Sequence, residues 1–384
     1  MKKLAIIGAS YLQQPLIEKA KEQNIETHVF AWQVGDVGEK TADFFYPISI
    51  TEKDAILDKC REIGIDGICS IASDLAAITV NYVAEKMGLI GNPMSVVAVS
   101  TNKHLMRKCF EKNGDPSPRS MMVSSIDDLQ NVTLAYPIIV KPVDRSGSRG
   151  ITKLDSPSGL KEAIEHAVGQ GFEKHALIEE FAEGQEYSVE CISWEGHHEF
   201  LALTQKYTTG APDFIETAHL EPAMVDQKTQ KEVKQVVFHA LDSLGIRYGA
   251  SHSELKISES GEIRLIEIGG RMGGDNIGAA LVPLSTGYDF VGAVIDVALG
   301  IEPQHVECSN QSVAAIRFIF SKADIEALDR LKREHPAWIV DEAVQTISAE
   351  KVTDSSNRFG YFLFKGDDRN LISDYLPNRE GQPN

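Results

Sequence analysis

The chain has 384 residues, enough for two or three domains and a sizeable core, and its 42% hydrophobic and 24% charged residues are those of an ordinary globular protein. A net charge of −18 with no long basic run argues against nucleic-acid binding as the main task, so a polyphosphate ligand would have to be met by locally clustered Lys and Arg. The five cysteines, Cys60, Cys69, Cys109, Cys191 and Cys308, form no CxxC pair and read as reduced thiols, four of them in apolar surroundings. Met1-Lys2-Lys3-Leu4-Ala5-Ile6-Ile7-Gly8 starts a strand at once, and its apolar run is too short to span a membrane. A cytoplasmic protein without a signal peptide is expected.

The first hundred residues alternate strand and helix. Strands are expected at Leu4–Ile7, Thr27–Phe30 and Gly67–Ser70, with helices at Leu16–Gln23 and Asp54–Ile63. This is the pattern of an open parallel sheet, whose ligands bind beyond the C-terminal strand ends, here Gly8-Ala9-Ser10 and Ser70-Ile71-Ala72-Ser73-Asp74. Gly8-Ala9-Ser10 is not GxGxxG, so the turn alone is weak support for a dinucleotide site and reads equally well as a tight strand-to-helix turn. A boundary falls near Gly91-Asn92-Pro93, followed by a helix Lys103–Lys112. Strands are then expected at Pro137–Val140, Ala176–Glu179 and Tyr187–Ile192, with a helix from about Ser158 to Val168. Thr204 to Pro222 reads as a long loop, Gln227–Leu244 as an amphipathic helix, the stretch after Gly287 as an apolar helix to Leu299, and Val313–Ile319 as a strand. Asn378–Asn384 reads as a polar tail.

Three stretches carry chemistry. In Ile138-Ile139-Val140-Lys141-Pro142-Val143-Asp144-Arg145-Ser146-Gly147-Ser148-Arg149-Gly150, a lysine ends a buried strand, where it is costly unless it meets an anion. The small-residue loop that follows can turn backbone N–H groups onto an anion. In Leu177-Ile178-Glu179-Glu180-Phe181-Ala182-Glu183-Gly184-Gln185-Glu186, an apolar strand turns and returns as an alternating one. The backbone of such a linker offers a purine the N–H and C=O it needs, and a following glutamate can accept from ribose hydroxyls. The third stretch is a hairpin, His252-Ser253-Glu254-Leu255-Lys256-Ile257 returning through Ser258–Glu262 to Leu265-Ile266-Glu267-Ile268-Gly269-Gly270-Arg271. With Ser260 and Gly261 at the centre of the turn, Glu254 faces Glu267; with a longer loop it faces Leu265 and Glu267 lies on the diagonal. Both registers put the carboxylates on one face, about 5–8 Å apart. Oxygen ligands on a rigid hairpin suit Mg²⁺, which typically takes one or two carboxylates and completes its shell with water and phosphate.

In this order, with Thr101-Asn102-Lys103-His104 ahead of them, these residues resemble the ATP-grasp superfamily over roughly residues 1–300, in the manner of its carboxylate–amine ligases. The resemblance implies an α/β and α+β protein: an N-terminal α/β domain with an open parallel sheet (1–100), an ATP-grasp domain (101–300, lid about 115–185) and a small C-terminal subdomain (301–384). It implies that Lys103 and Lys141 contact the nucleotide, with Ser146, Gly147 and Ser148 in the phosphate loop. Glu179, Glu180, Phe181 and Ala182 would hold adenine and Glu186 the ribose. Glu254 and Glu267 would hold Mg²⁺, with Mn²⁺ as an alternative. Arg271 would steady the acyl phosphate, His219 would hold the substrate carboxylate or acyl phosphate, and Lys206 would reach the phosphates from the mobile loop. Gly269 departs from the pattern, because the family commonly places an Asn there. With His252-Ser253-Glu254-Leu255, this departure is similar to the L-amino-acid ligases. The implied reaction is ATP-dependent amide or peptide bond formation on amino acids through an acyl phosphate. Alternatives are a purine-pathway ligase or carboxylase, and an ATP-binding regulatory protein of weak turnover. Partners would be small carboxylates and amines, with no nucleic acid or membrane and with a homodimer left open.

Overall fold

The computed structural model describes residues 1–130, 134–145, 147, 149–305, 312–348 and 351–377. Ser146, Ser148, Cys308 and the tail 378–384 lie outside the described residues. The N-terminal sheet is parallel, in the order β3-β2-β1-β4, from β1 (Lys3–Ile7), β2 (Glu26–Phe30), β3 (Phe44–Tyr46) and β4 (Gly67–Cys69). Leu4, Ala5, Ile6 and Ile7 are all buried, as expected for a strand covered on both faces. The helices Gln14–Glu22, Val37–Thr41 and Lys53–Ile63 make the crossovers, and Asp74–Met87 follows β4. A second, antiparallel sheet has the order β5-β8-β6-β7, from β5 (Ser120–Val123), β6 (Ile138–Pro142), β7 (Thr152–Leu154) and β8 (Ala176–Glu180). The helix Leu160–Gln170 covers one face with Leu160, Ala163, Ile164 and Ala167, one apolar stripe at helical spacing.

The third sheet positions the site. Its eight antiparallel strands run β13-β12-β9-β10-β11-β14-β16-β15: β9 (Gln185–Trp194), β10 (His197–Thr208), β11 (Glu216–Glu221), β12 (Gly249–Ile257), β13 (Ile263–Gly269), β14 (Val313–Phe318), β15 (Ile339–Val344) and β16 (Gly360–Gly366). Successive side chains on a strand point to opposite faces. Tyr187, Val189, Cys191, Leu203, Leu255 and Leu265 go to one face and pack on Val233, Val237, Ala240 and Leu241 of the helix Gln227–Leu244. Their neighbours Glu186, Ser188, Glu190, Thr204, Lys206, His252 and Glu254 therefore share the other face. The last stretch of chain adds β14, β15 and β16 to this same sheet.

Thr204 to Pro222, read from sequence as a loop, is mostly strand. Gln205 to Thr208 pair with Leu220 to Glu216. Its polar residues masked the alternation because they are buried against one another: Thr204 Oγ1 donates to Glu221 at 2.5 Å, and Thr204, His219 and Glu221 are all fully buried. The cysteine expectation can be checked for four thiols. Cys60, Cys69 and Cys191 are buried and free, Cys109 is half-buried, and burial pushes Cys60 and Cys69 up to about 12. Among the described residues no helix is long and apolar enough to cross a membrane.

Candidate active site

A cavity of about 360 Å³ opens where the three sheets meet, a size ordinary for a small-ligand site. Ala72–Leu75, following β4, closes one end; β6 and β8 form the roof and the polar face of the large sheet forms the floor. Lys103, Lys141, Gly147, Glu179, Glu180, Phe181, Ala182, Glu186, Lys206, His219, Glu254, Glu267 and Arg271 all line it, so one space collects every described residue that the sequence singled out.

Glu254 stands directly opposite Glu267, although the turn adopts neither register considered above. Ile257 pairs with Ile263 and Leu255 with Leu265, an alignment that would leave Glu267 on the helix side with Leu265. A β-bulge between Glu254 and Leu255 shifts the pairing by one residue and turns Glu267 into the cavity. Lys103 Nζ then lies 2.7 Å from Glu267, and Lys206 Nζ 2.6 Å from Glu254, 3.1 Å from Glu186 and 3.7 Å from Glu216. Burial by itself would raise Glu254, yet Lys206 and His252 hold it well below the ordinary carboxylate range. Burial would lower Lys206, and the three carboxylates hold it well above its ordinary value. Lys206 thus sits on β10 and not on a mobile loop. Two facing carboxylates, each held by a displaceable ammonium, are a donor set that fits Mg²⁺. Among the described residues no cluster of three or more metal-binding side chains occurs, so water or substrate oxygens would complete the shell.

At the roof, Glu179 is 4% exposed and lies between Arg107 Nε at 2.7 Å and Lys141 Nζ at 2.5 Å. One carboxylate for two buried cations leaves an excess positive charge. Burial pushes Lys141 down, with Arg107 adding to it against the attraction of Glu179. The Glu179 side chain is therefore engaged by this cluster while it lines the cavity. Glu180 pairs with Arg119 (Nε to Oε1 2.6 Å), and the Phe181 N–H donates to Pro137 O at 3.1 Å. Phe181 lies between the ammonium groups of Lys153 and Lys256, 4.7 and 4.8 Å from its centroid, with Phe214 6.3 Å away. With Ile139 and Ile266 these rings make an apolar slot beside Glu186.

The far end is built around Arg271, whose Nε and Nη2 donate to the two oxygens of Asp74 at 2.8 and 3.0 Å. Gly269 now has a reason. A Cβ there would lie 3.0 Å from Asp74 Oδ1 and 3.2 Å from Arg271 Nε, so the ion pair fills the space an Asn would need. His219, read as a loop histidine, is a buried β11 residue with Asp275 3.7 Å from Nε2 and the Phe318 ring edge-on at 5.5 Å. Among the described residues neither ring nitrogen has a hydrogen-bond partner, and burial pushes its pKa down. His252 lies between Glu190, which it touches through Nδ1, and Glu254 at 3.4 Å from Nε2. Burial alone would lower His252, but the Glu190 carboxylate pushes it up to about 9. Glu190 also accepts from the Gly273 N–H at 2.9 Å, tying the glycine loop to the hairpin.

Sequence reading did not select Arg107, Glu190, Glu216, Asp275 or Arg358. For Glu190 there was a signal, a carboxylate in a strand otherwise read as buried. Glu216 fell in the presumed loop, while Arg107 and Arg358 reach the site from far along the chain.

Residues 134–279 match the family described as the ATP-grasp domain. The chain carries an ATP-grasp domain and has the ATP-grasp fold. It is 26% identical over 277 residues to the alanine–anticapsin ligase of Bacillus subtilis (strain 168), covering 63% of this chain and 58% of that one. The chain thus spans somewhat over half the length of that curated relative. The crystal structure of an L-amino acid ligase from Bacillus licheniformis superposes with a TM-score of 0.84 at 23% identity, covering 98% of this chain and 96% of that one. An N5-carboxyaminoimidazole synthetase from Staphylococcus aureus complexed with ADP gives a TM-score of 0.78 at 17% identity, covering 97% and 95%. The chain's resemblance is to ATP-grasp carboxylate–amine ligases, near the L-amino-acid ligases in pattern.

Proposed function

We propose that this protein is an ATP-dependent ligase that joins the carboxylate of one amino acid to the amine of another through an acyl phosphate, with Mg²⁺, or Mn²⁺ in its place, at Glu254 and Glu267. The observation that carries this is the facing Glu254–Glu267 pair inside one cavity with Lys103, Lys141, Lys206 and Arg271. The slot at Phe181, Ala182 and Glu186 would take adenine and ribose. The excess positive charge at Arg107 and Lys141 suits phosphate. A divalent ion held by the two glutamates supplies charge neutralisation on the transferring phosphoryl group. The substrate carboxylate bonds to the γ-phosphorus as ADP leaves; the amine nitrogen then attacks the acyl carbon, loses a proton, and phosphate departs. Arg271, fixed by its two bonds to Asp74, would face the oxygens of the acyl group. His219, kept neutral by burial, is the uncharged nitrogen base of the cavity. Glu216 shares one distant cation and accepts from Ser355 Oγ at 2.7 Å, which leaves it able to hold a substrate ammonium.

The test is phosphate release from ATP across a panel of single and paired amino acids. Stimulation by pairs, with dipeptide in the products, is expected, and Glu267→Gln should reduce it at least ~10³-fold without loss of fold. Stimulation by a phosphoribosyl amine alone would replace this reading by a purine-pathway one, and silence with every substrate would replace it by a regulatory ATP-binding role.

A further inference from the structure

The far wall of the cavity is completed by a segment distant in sequence. Arg358, just before β16, is sequestered: its side chain is 6% exposed and its guanidinium lies 3.6 Å from the Phe318 ring centroid. Every edge is engaged. Nε donates to Ser355 O at 2.9 Å, Nη1 to Glu216 O at 3.3 Å and to Asp275 Oδ2 at 3.0 Å, and Nη2 to Asp275 Oδ1 at 2.5 Å. Asp275 and Ser355 line the cavity and Arg358 does not, so the Asp275 carboxylate stands between the guanidinium and any occupant. The geometry of that contact is the bidentate fork by which an arginine takes up a free carboxylate. Asp275 is held there at φ 51°, a left-handed conformation that Asp and Asn tolerate better than most residues. Burial would raise its pKa, but the Arg358 guanidinium leaves it well below the ordinary carboxylate range, so the arginine is neutralised at working pH.

We propose that Asp275 is a specificity-determining residue: it occupies Arg358 as the carboxylate of an acidic substrate side chain otherwise would, and so restricts this end of the cavity to substrates whose side chain is not acidic. The inference rests on the amino-acid ligase reading above and adds the substrate class to it. In the native protein an acidic side chain at this end would meet the Asp275 and Glu216 carboxylates, with Arg358 already paired to Asp275. Like charges brought together in a desolvated site cost several kcal/mol. Without the Asp275 charge, the buried guanidinium lacks its counter-ion, and a substrate carboxylate can supply one.

The experiment measures phosphate release and, separately, calorimetric binding in the presence of ADP for Asp, Glu, Asn, Gln, Ala and Leu, each with a fixed partner amino acid. It is done on the native chain, D275N and D275G, the last accommodating the positive φ without strain. The expected result is a preference for the uncharged residues in the native chain, and in both variants a change of roughly 10²-fold in kcat/KM towards Asp or Glu relative to Asn or Gln. Adding Arg358→Met to D275N should abolish that gain. An unchanged acidic-to-amide ratio in both variants, or a native chain that already prefers acidic residues, overturns the specificity role while leaving the ligase reading intact. If no amino acid releases phosphate and none binds, the ligase reading fails and this inference fails with it.

Discussion

Lys206 is the point at which the site can be tested most directly. Its ammonium is 3% exposed and serves three carboxylates, Glu254 at 2.6 Å, Glu186 at 3.1 Å and Glu216 at 3.7 Å, whose side chains are 16–23% exposed. Lys206→Met keeps the length and apolar stem but leaves three facing carboxylates without their shared cation. Removing one partner of a fully buried ion pair costs about 3–5 kcal/mol. The partial exposure of the carboxylates brings the expectation down to about 3 kcal/mol. For 384 residues unfolding as one unit, with an unfolding entropy of about 0.8 kcal/mol/K, that is a fall of about 4 °C. The same change should create a better site for a divalent cation, because the ion would now replace the ammonium without displacing it. At ten times its dissociation constant Mg²⁺ would return about 1.4 kcal/mol. The assay is thermal denaturation of the native chain and K206M with and without MgCl₂, in the absence of nucleotide and at constant ionic strength. The variant is expected to melt lower and to recover part of the loss with Mg²⁺, while the native chain responds little. A variant as stable as the native chain, or equal responses to Mg²⁺ in both, would refute the assignment of these carboxylates as the cation-binding end.

Two more outcomes follow from buried groups beside the site. Glu221 is fully buried with, among the described residues, the Thr204 and Ser285 hydroxyls as its partners, and burial pushes it up to about 7. An acid with a raised folded pKa contributes stability that is fully present below its unfolded value, near 4.5, and is lost as pH rises through about 7. Glu221→Gln should therefore gain on the native chain by on the order of 3 kcal/mol between pH 4.5 and pH 8; parallel urea midpoints across that window would contradict it. Gly273→Ala would place a Cβ 2.5 Å from Glu190 Oε1 and 2.7 Å from His252 Nδ1. It should cost about 1–3 kcal/mol in urea denaturation and lower kcat as His252 is pushed from Glu254; a variant indistinguishable in both would show that the Glu190–His252 contact has no positioning role.

The sequence carried the periodicities and the chemistry-bearing residues. The continuous apolar run of Lys3–Ile7 and the 3.6-residue stripe of Gln227–Leu244 specify their elements locally, because a strand covered on both faces buries every side chain and a helix buries one stripe. The Lys141, Glu179–Glu186 and Glu254–Glu267 stretches were legible because charged residues inside apolar runs require a partner. Those partners were not legible. Lys206 and His219 were singled out only as loop residues, because their stretch reads as a loop until Thr204, Glu221 and Ser285 satisfy one another across two strands and a helix. The bulge that turns Glu267 away from the helix side depends on strand pairing, and alternation alone would have placed it with Leu265. Arg107, 72 positions before Glu179, and Arg358, 83 positions after Asp275, meet those carboxylates only because three sheets converge on one cavity. The sequence by itself determined which charged residues stand inside apolar runs and so demand a partner. Tertiary structure alone decided which charges neutralise one another and which remain facing the cavity, because that depends on distances of 2.5 to 4 Å between segments that no local pattern relates.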